Sequence, residues 1–189
     1  MEIQTKDSYL KFENFQDEKL IKKCVLEVTN LLDEYPLIKI FGRVCHQRRC
    51  VGFFSDKSIG YSYSNQLSPS KPMTESLTNL LEKVNNIFTT KYNGILINKY
   101  KSGNDYISAH SDDEKNLDEC GVVAISYGTT RKFRIRNKET KKIVKDINLT
   151  SYSMIQMGGK FQKEFTHEVP IEKKITDERI SFTFRKHIV

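Results

Sequence analysis

Near its C-terminus the chain reads Arg179-Ile-Ser-Phe-Thr-Phe-Arg185, a stretch in which polar and apolar residues alternate without interruption. Alternation with a period of two is typical of a β-strand, because successive side chains point to opposite faces of a sheet. The two predicted faces are Ile180, Phe182 and Phe184 on one side, and Arg179, Ser181, Thr183 and Arg185 on the other. We therefore expect a strand with one face in a hydrophobic core and the other lining a polar cavity.

The two arginines at the ends of this stretch have a spacing that suits a small dianion. At about 3.3 Å per residue their Cα atoms lie ~20 Å apart, and two inward-leaning side chains leave roughly 6–8 Å between the guanidinium groups. A five-carbon dicarboxylate fits that gap. Arginine also forms paired hydrogen bonds with carboxylates more readily than lysine does.

A second polar pattern lies upstream, in His110-X-Asp112 and the distant His167. In an extended segment residues i and i+2 point to the same side, so His110 and Asp112 can reach one ion together. Two imidazoles and one carboxylate on one face of a metal leave positions open for a co-substrate and oxygen, as in non-haem Fe(II) oxygenases. Asn98 and Tyr100 likewise share one face of a predicted strand, 93–100.

The rest of the sequence predicts a single domain, residues 1–189, of the α+β class with mostly β structure. Two amphipathic helices, Asp17 to Leu32 and Ser76 to Thr89, are predicted to pack outside the sheets. Short strands are predicted at 93–100, 121–128, 131–137, 142–149, 152–157, 164–169 and 179–186. A run of short strands indicates a sandwich or jelly roll. We expect helices and loops in 1–92 and the β core in 93–189.

Composition narrows the class of protein without fixing it. The chain is 38% hydrophobic and 29% charged, which is ordinary for a globular protein. No apolar run is long enough to span a bilayer, and the N-terminus lacks the pattern of a signal peptide. We therefore expect an intracellular protein, with its cysteines Cys24, Cys45, Cys50 and Cys120 reduced and not binding zinc.

The set Asn98-X-Tyr100, His110-X-Asp112, His167 and Arg179-X5-Arg185, in this order, resembles the AlkB family of Fe(II)/2-oxoglutarate-dependent dioxygenases. The likeness is greatest to the eukaryotic DNA-repair demethylase branch, and it runs from about Phe41 to Arg185. It includes Tyr61-Ser-Tyr63, Asp112-Asp-Glu114, Ile125-Ser-Tyr-Gly-Thr-Thr-Arg131 and Thr183-Phe-Arg185. The resemblance implies a double-stranded β-helix (jelly-roll) core, with nucleotide-recognition loops and helices in 1–92.

The resemblance also implies roles for these residues. His110, Asp112 and His167 would bind Fe(II), and Asn98, Tyr100, Arg179, Thr183 and Arg185 would hold 2-oxoglutarate, with O2 as the second co-substrate. Oxidative removal of an alkyl group from a nucleic-acid base, N1-methyladenine or N3-methylcytosine for example, is the implied activity. Because ligating imidazoles must be neutral, we expect iron binding to weaken below about pH 6.

Contacts to the nucleic acid are implied for four further groups of residues. Phe41, Gly42 and Arg43 resemble an apolar finger that is inserted into duplex DNA, and Arg49 matches an arginine that contacts the strand backbone. Tyr61, Ser62 and Tyr63, and Asp113 and Glu114, would lie against the target base. For Phe41, Tyr61 and Tyr63 a place in the core is the alternative, and for Asp113 and Glu114 a solvated acidic pair.

The chain departs from duplex-acting relatives at two places, so single or double strand stays open. Arg48 stands where the family usually has proline, and the loop between Arg136 and Lys142 is shorter. The formal charge of +7 suits a polyanionic partner, and positive residues concentrate in a predicted hairpin, 131–142, and around Arg43, Arg48 and Arg49.

Several functions remain open on the sequence alone. The same site could act on RNA, on a protein or on a small molecule, or it could have lost activity in a nucleic-acid binding protein. A zinc hydrolase could use the same three ligands, but it would leave the two arginines unexplained. A monomer in the nucleus or cytoplasm is the expectation.

Overall fold

A computed structural model describes residues 1–40, 42–63, 66–113, 117–118 and 120–188. Phe41 and Glu114, for which substrate contacts are predicted, lie outside the described residues, as does the side chain of Tyr63. The helices are α1 (Glu18–Val28), a 3₁₀ turn (Thr29–Leu31), α2 (Glu75–Phe88) and α3 (Phe161–Glu164). The strands are β1 (Ile3–Gln4), β2 (Ser8–Asn14), β3 (Leu37–Ile40), β4 (Arg43–His46), β5 (Cys50–Phe54), β6 (Gly60–Tyr63), β7 (Gln66–Pro69), β8 (Gly94–Tyr100), β9 (Ile107–His110), β10 (Val122–Gly128), β11 (Arg131–Asn137), β12 (Ile143–Leu149), β13 (Ser153–Gly159), β14 (Phe165–Val169) and β15 (Arg179–Arg185).

Within the described residues the strands form two principal sheets. The larger sheet has the order β1-β2-β13-β10-β15-β8-β5 and the smaller one the order β12-β11-β14-β9. The hairpins β3–β4 and β6–β7 form separate two-stranded sheets. Apolar residues of both principal sheets, such as Tyr100, Ile155, Phe133 and Val169, share one buried cluster, so the sheets pack face to face.

The outer face of the larger sheet is covered by α1 and α2. Asp17 caps α1 by accepting from the Leu20 N–H, and Thr74 caps α2 by accepting from the Leu77 N–H. Apolar residues at helical spacing on both helices pack against the sheet, and β15 contributes its apolar face to this core. The members of that contact are Ile21, Cys24, Val28, Leu77, Leu80, Val84, Ile180, Phe182 and Phe184.

Strand β15 lies between β10 and β8, so its polar face looks toward the smaller sheet. Thr183 stands opposite Leu96 on β8 and Ala124 on β10. Every residue of β15 is buried, the two arginines included. The predicted division of this strand into a core face and a cavity face is therefore confirmed.

The predicted fold class, mostly β with a jelly-roll core and helices outside, is confirmed, while the description of the first half was incomplete. Strands β1 to β7 lie within 1–92, and β1, β2 and β5 belong to the larger sheet, which is not confined to 93–189. The segment Cys50–Phe54 is buried at every position, so it shows no alternation. Short buried strands of this kind cannot be recognised by period. Strand β9 (Ile107–His110) also lies outside the predicted strands.

None of the described helices is both long and apolar enough to cross a membrane.

Phe182→Ala should lower the free energy of unfolding by about 3–5 kcal/mol, because the ring is fully buried between β15 and the helices. Urea denaturation measures this change. Leu26→Ala on α1, where the side chain is 79% exposed, serves as the control and should stay within about 0.5 kcal/mol of the parent. Equal effects of the two substitutions would contradict the assignment of the core face.

Candidate active site

Three potential metal ligands converge between the two sheets. His110 ends β9, His167 lies within β14 directly opposite His110, and Asp112 follows two residues after β9. The Nε2 atoms of His110 and His167 each lie 3.7 Å from a carboxylate oxygen of Asp112. Two atoms that each lie ~2.1 Å from one ion can be at most ~4.2 Å apart, so these pairs can share an ion. All three ligand atoms lie within 4.8 Å of one another.

The surroundings fix the orientation of the ligands. His110 Nδ1 lies 2.8 Å from the carbonyl oxygen of Ser108. A carbonyl only accepts, so Nδ1 carries the proton and Nε2 presents its lone pair toward Asp112. The His167 ring stacks on Phe133, with 5.2 Å between ring centroids. The backbone N–H of Asp112 donates to Gln162 Oε1 over 2.9 Å.

The protonation states of the three residues are those that a metal requires. Burial alone would raise the pKa of Asp112, but Arg185 and the two histidines outweigh it and lower the pKa to about 2. Burial, reinforced by His110, lowers the pKa of His167 to about 3, and burial likewise lowers the pKa of His110. A carboxylate at Asp112 and a neutral imidazole at His167 therefore persist below pH 6, and the lowered pKa of His110 favours its neutral form as well. We expect protons to compete with a metal at lower pH than ordinary histidine values give.

Arg185 and Arg179 approach the site from opposite ends of β15. Arg185 Nη2 donates to Asp112 Oδ1 over 2.7 Å, and both side chains are 2% exposed. Arg179 Nη2 donates to Ser126 Oγ over 2.8 Å, and its guanidinium lies 5.4 Å from the centroid of the Tyr100 ring.

Arg179 is a buried cation without a carboxylate partner in the described part of the chain, and its buried Nε has no hydrogen-bond partner there. Burial lowers the pKa of the guanidinium, which records the cost of holding this charge away from water. An unpaired charge in the interior is unfavourable unless an anion joins it. The donor set therefore fits a carboxylate of 2-oxoglutarate.

The cavity between the sheets brings together the residues predicted to hold the metal and the co-substrate. Its lining includes Asn98, Tyr100, His110, Asp112, His167, Arg179, Ser181, Thr183 and Arg185. The space left between these side chains is small, about 50 Å³. A wider cleft of about 490 Å³ opens beside Asp112 and Asp113.

Arg49, for which a contact to the nucleic-acid backbone is predicted, is buried beside Asn98. The side chain is 3% exposed, and its Nε donates to Asn98 Oδ1 over 2.8 Å. This burial does not support the predicted contact to the nucleic-acid backbone, which stays a prediction. Arg49 immediately precedes β5, which pairs with β8, and this pairing brings it alongside Asn98.

The predicted base contacts are divided between core and surface. Tyr61 is 3% exposed, packs against Phe53 and lies under the guanidinium of Arg185, so the core alternative holds for it in this structure. Ser62, Gly42 and Arg43 are exposed. Gly42 has a φ of 79° in the turn between β3 and β4, a conformation that favours glycine. Asp113 is exposed, with its Oδ2 3.0 Å from Lys138 Nζ.

The predicted basic hairpin corresponds to strands β11 and β12. Its arginines are paired with acidic side chains. Arg134 forms two hydrogen bonds of 2.8 Å with Asp146, and Arg136 lies 2.9 Å from Glu168. Arg131 is buried and donates to Glu172 and to the carbonyl oxygens of Ser102, Asp105 and Pro170. The arginines of this hairpin are therefore paired, because their acidic partners lie on β12, on β14 and in the loop after it.

Some residues of the site were not singled out from the sequence. Ser126, which binds Arg179, follows four apolar residues in a predicted strand, and this interruption was a usable signal. Ser108 and Gln162 act through a backbone carbonyl and a side-chain amide that contact ligand residues. No pattern in the sequence marks either of them.

Comparison with known proteins agrees with this site. Residues 19–185 match the model of the 2OG-Fe(II) oxygenase superfamily. The chain is 26% identical over 184 residues to the DNA oxidative demethylase ALKBH2 of Mus musculus, covering 93% of this chain and 77% of that protein. It is 30% identical over 137 residues to the alpha-ketoglutarate-dependent dioxygenase alkB homolog 3 of Homo sapiens, covering 67% of this chain and 48% of that protein.

A solved structure described as that of OsALKBH1 superposes on 97% of this chain and 100% of that chain, with a TM-score of 0.60 at 15% identity, which supports the fold.

The chain belongs to the 2OG-Fe(II) oxygenase superfamily. The predicted membership of the AlkB family is confirmed, and the protein is a dioxygenase that uses Fe(II), with 2-oxoglutarate and O2 as co-substrates. Iron and co-substrate supply the oxidising chemistry, while the chain supplies position, charge and exclusion of water.

Metal-free protein should lose stability as the pH falls from about 6.5 toward 3. An unfolded histidine takes up a proton near pH 6.5, whereas buried His167, with a pKa of about 3, stays neutral, so acid favours the unfolded state. Urea denaturation with a chelator, at several pH values from about 7.5 to 4.5, measures this slope. His167→Leu removes the titrating group and should give a shallower slope. Parallel slopes for parent and variant would contradict the assignment.

Proposed function

We propose that the enzyme removes methyl groups from N-alkylated bases of DNA, of the N1-methyladenine and N3-methylcytosine type, and so repairs alkylation damage. The likeness to DNA oxidative demethylases over 93% of the chain carries the proposal. In support, the residues expected to bind metal and dicarboxylate surround one buried cavity. We further propose that it acts as a monomer in the nucleus or cytoplasm.

In the proposed reaction His110, Asp112 and His167 bind the metal, and Arg179, Arg185, Asn98, Tyr100 and Thr183 hold 2-oxoglutarate. One oxygen atom of O2 enters succinate as 2-oxoglutarate loses carbon dioxide, and the other converts the N-methyl group to N-hydroxymethyl. This hemiaminal then releases formaldehyde and restores the base. The target base must leave the helical stack, which costs least for a damaged and poorly paired base.

The test is anaerobic reconstitution with Fe(II) and 2-oxoglutarate, followed by air and an oligonucleotide that carries one N1-methyladenine. Mass spectrometry should show loss of the methyl group, and His110→Ala should abolish it because one metal ligand is missing. Glu13→Gln, at an exposed carboxylate on β2, is the control and should retain activity.

Other outcomes separate the alternatives. Succinate without demethylation would support the dioxygenase activity and reject this substrate. Faster demethylation of an RNA oligonucleotide than of a DNA oligonucleotide with the same sequence and the same lesion would assign RNA as the substrate. If neither product forms on iron-loaded protein, the proposed function is wrong.

The hairpin β3–β4 is a better candidate than β11–β12 for contact with the nucleic-acid backbone. The sequence contains no acidic residue from Pro36 to Ser55. Lys39, Arg43 and Arg48 are exposed there, and no carboxylate of the described residues pairs with them. A polyanion can therefore approach them without displacing an existing ion pair.

Arg43→Ala should weaken oligonucleotide binding and reduce the slope of log K against log salt by about 0.7–0.9, the value for one lost phosphate contact. Fluorescence anisotropy at several salt concentrations gives the slope. Lys132→Ala on β11, whose ammonium lies 3.5 Å from Asp146, is the control and should leave the slope unchanged. A reduced slope for Lys132→Ala together with an unchanged slope for Arg43→Ala would instead assign the contact surface to β11–β12.

A further inference from the structure

Arg49 is placed to act on the co-substrate site without lining its cavity. It is buried just before β5, and its Nε lies 2.8 Å from Oδ1 of Asn98, a residue of the cavity wall. Its charge also lies close enough to His110 to contribute to lowering the pKa of that histidine. Arg49 therefore sits behind the wall that faces the proposed dicarboxylate.

The chemistry of the guanidinium determines how the Asn98 amide is oriented. Arginine carries five N–H donors and no acceptor, so the atom of Asn98 that faces Arg49 must be the oxygen. Because oxygen and nitrogen of a planar amide point in different directions, the NH2 group of Asn98 is turned away from Arg49. Because Asn98 also lines the cavity, its two N–H donors can serve a ligand there.

We infer that Arg49 is a positioning residue for 2-oxoglutarate binding, which holds the Asn98 amide with its donors toward the co-substrate carboxylate. Without Arg49 the amide can rotate and present its oxygen, which repels a carboxylate. The inference rests on the proposed role of Asn98 in binding 2-oxoglutarate. It assigns Arg49 a role other than the backbone contact predicted from the sequence.

The experiment measures the affinity for 2-oxoglutarate directly, by isothermal titration calorimetry with Mn(II) in place of iron. Arg49→Met should raise the Kd about tenfold, as loss of an outer contact to a ligand residue commonly does. Arg49→Lys should recover most of the affinity, because an ammonium can also donate to Asn98 Oδ1. At saturating 2-oxoglutarate the kcat of Arg49→Met should change less than about threefold, since the effect is on binding.

A double-mutant cycle separates positioning from a merely structural role. Asn98→Ala should itself weaken binding, and in that background Arg49→Met should cause no further loss. An equal additional loss in the Asn98→Ala background would overturn the inference, because Arg49 would then act independently of Asn98. Unchanged affinity in Arg49→Met would overturn it as well.

Controls distinguish failure of the inference from failure of the proposed function. Lys23→Met, at an exposed cation on α1, should leave the Kd unchanged. Thermal unfolding checks that each variant is folded, and Arg49→Leu, which likewise lacks a donor, takes the place of Arg49→Met in the cycle if the methionine variant does not fold. Absence of 2-oxoglutarate binding in the parent would reject the proposed site itself. Normal parent binding with an unaffected Asn98→Ala would reject the role of Asn98 and with it the inference.

Discussion

The ion pair between Asp112 and Arg185 is the interaction on which the site depends, because it joins the two sheets through a pair of buried charges. Asp112 follows β9 of the smaller sheet, whereas Arg185 ends β15 of the larger one. Removing one partner of a buried pair leaves an uncompensated charge, at a cost of about 3–5 kcal/mol. The pair therefore fixes the distance between the sheets at the point where the ligands meet, and it keeps the carboxylate ionised.

The two faces of strand β15 contribute to different parts of the molecule, one to the hydrophobic core and the other to the site. Its apolar residues pack under the helices, and its polar residues form one wall of the cavity. Neighbouring strands on both sides hold it in register, with Tyr100 on β8 opposite Arg179, and with Asn98 on β8 and Ser126 on β10 opposite Ser181. Side chains carried by a central strand are positioned more accurately than side chains on loops, which suits a site that must align a metal and a dicarboxylate.

The sequence could predict this strand and the residues around it because alternation and ligand spacing are local properties. It could not predict which arginines are compensated, because the partners come from distant segments: Asp146 for Arg134, Glu168 for Arg136 and Glu172 for Arg131. Arg49 shows the same limit, since only the pairing of β5 with β8 brings it to Asn98. Strand β5 is not predicted, because a short segment that is buried at every position carries no period.

Charge in the interior gives the site its preference for a dianion. Arg49, Arg179 and Arg185 bring three positive charges into the buried region, and Asp112 brings one negative charge, while both histidines are neutral. Two positive charges are left, and a divalent metal adds to them. Because charges away from water are costly unless they are paired, a dicarboxylate is stabilised there more than a neutral or singly charged molecule of similar size. Arg179 and Arg185 lie at opposite ends of one strand. The site therefore selects a dicarboxylate whose carbon chain is long enough to reach both the Arg179 guanidinium and the metal ligands.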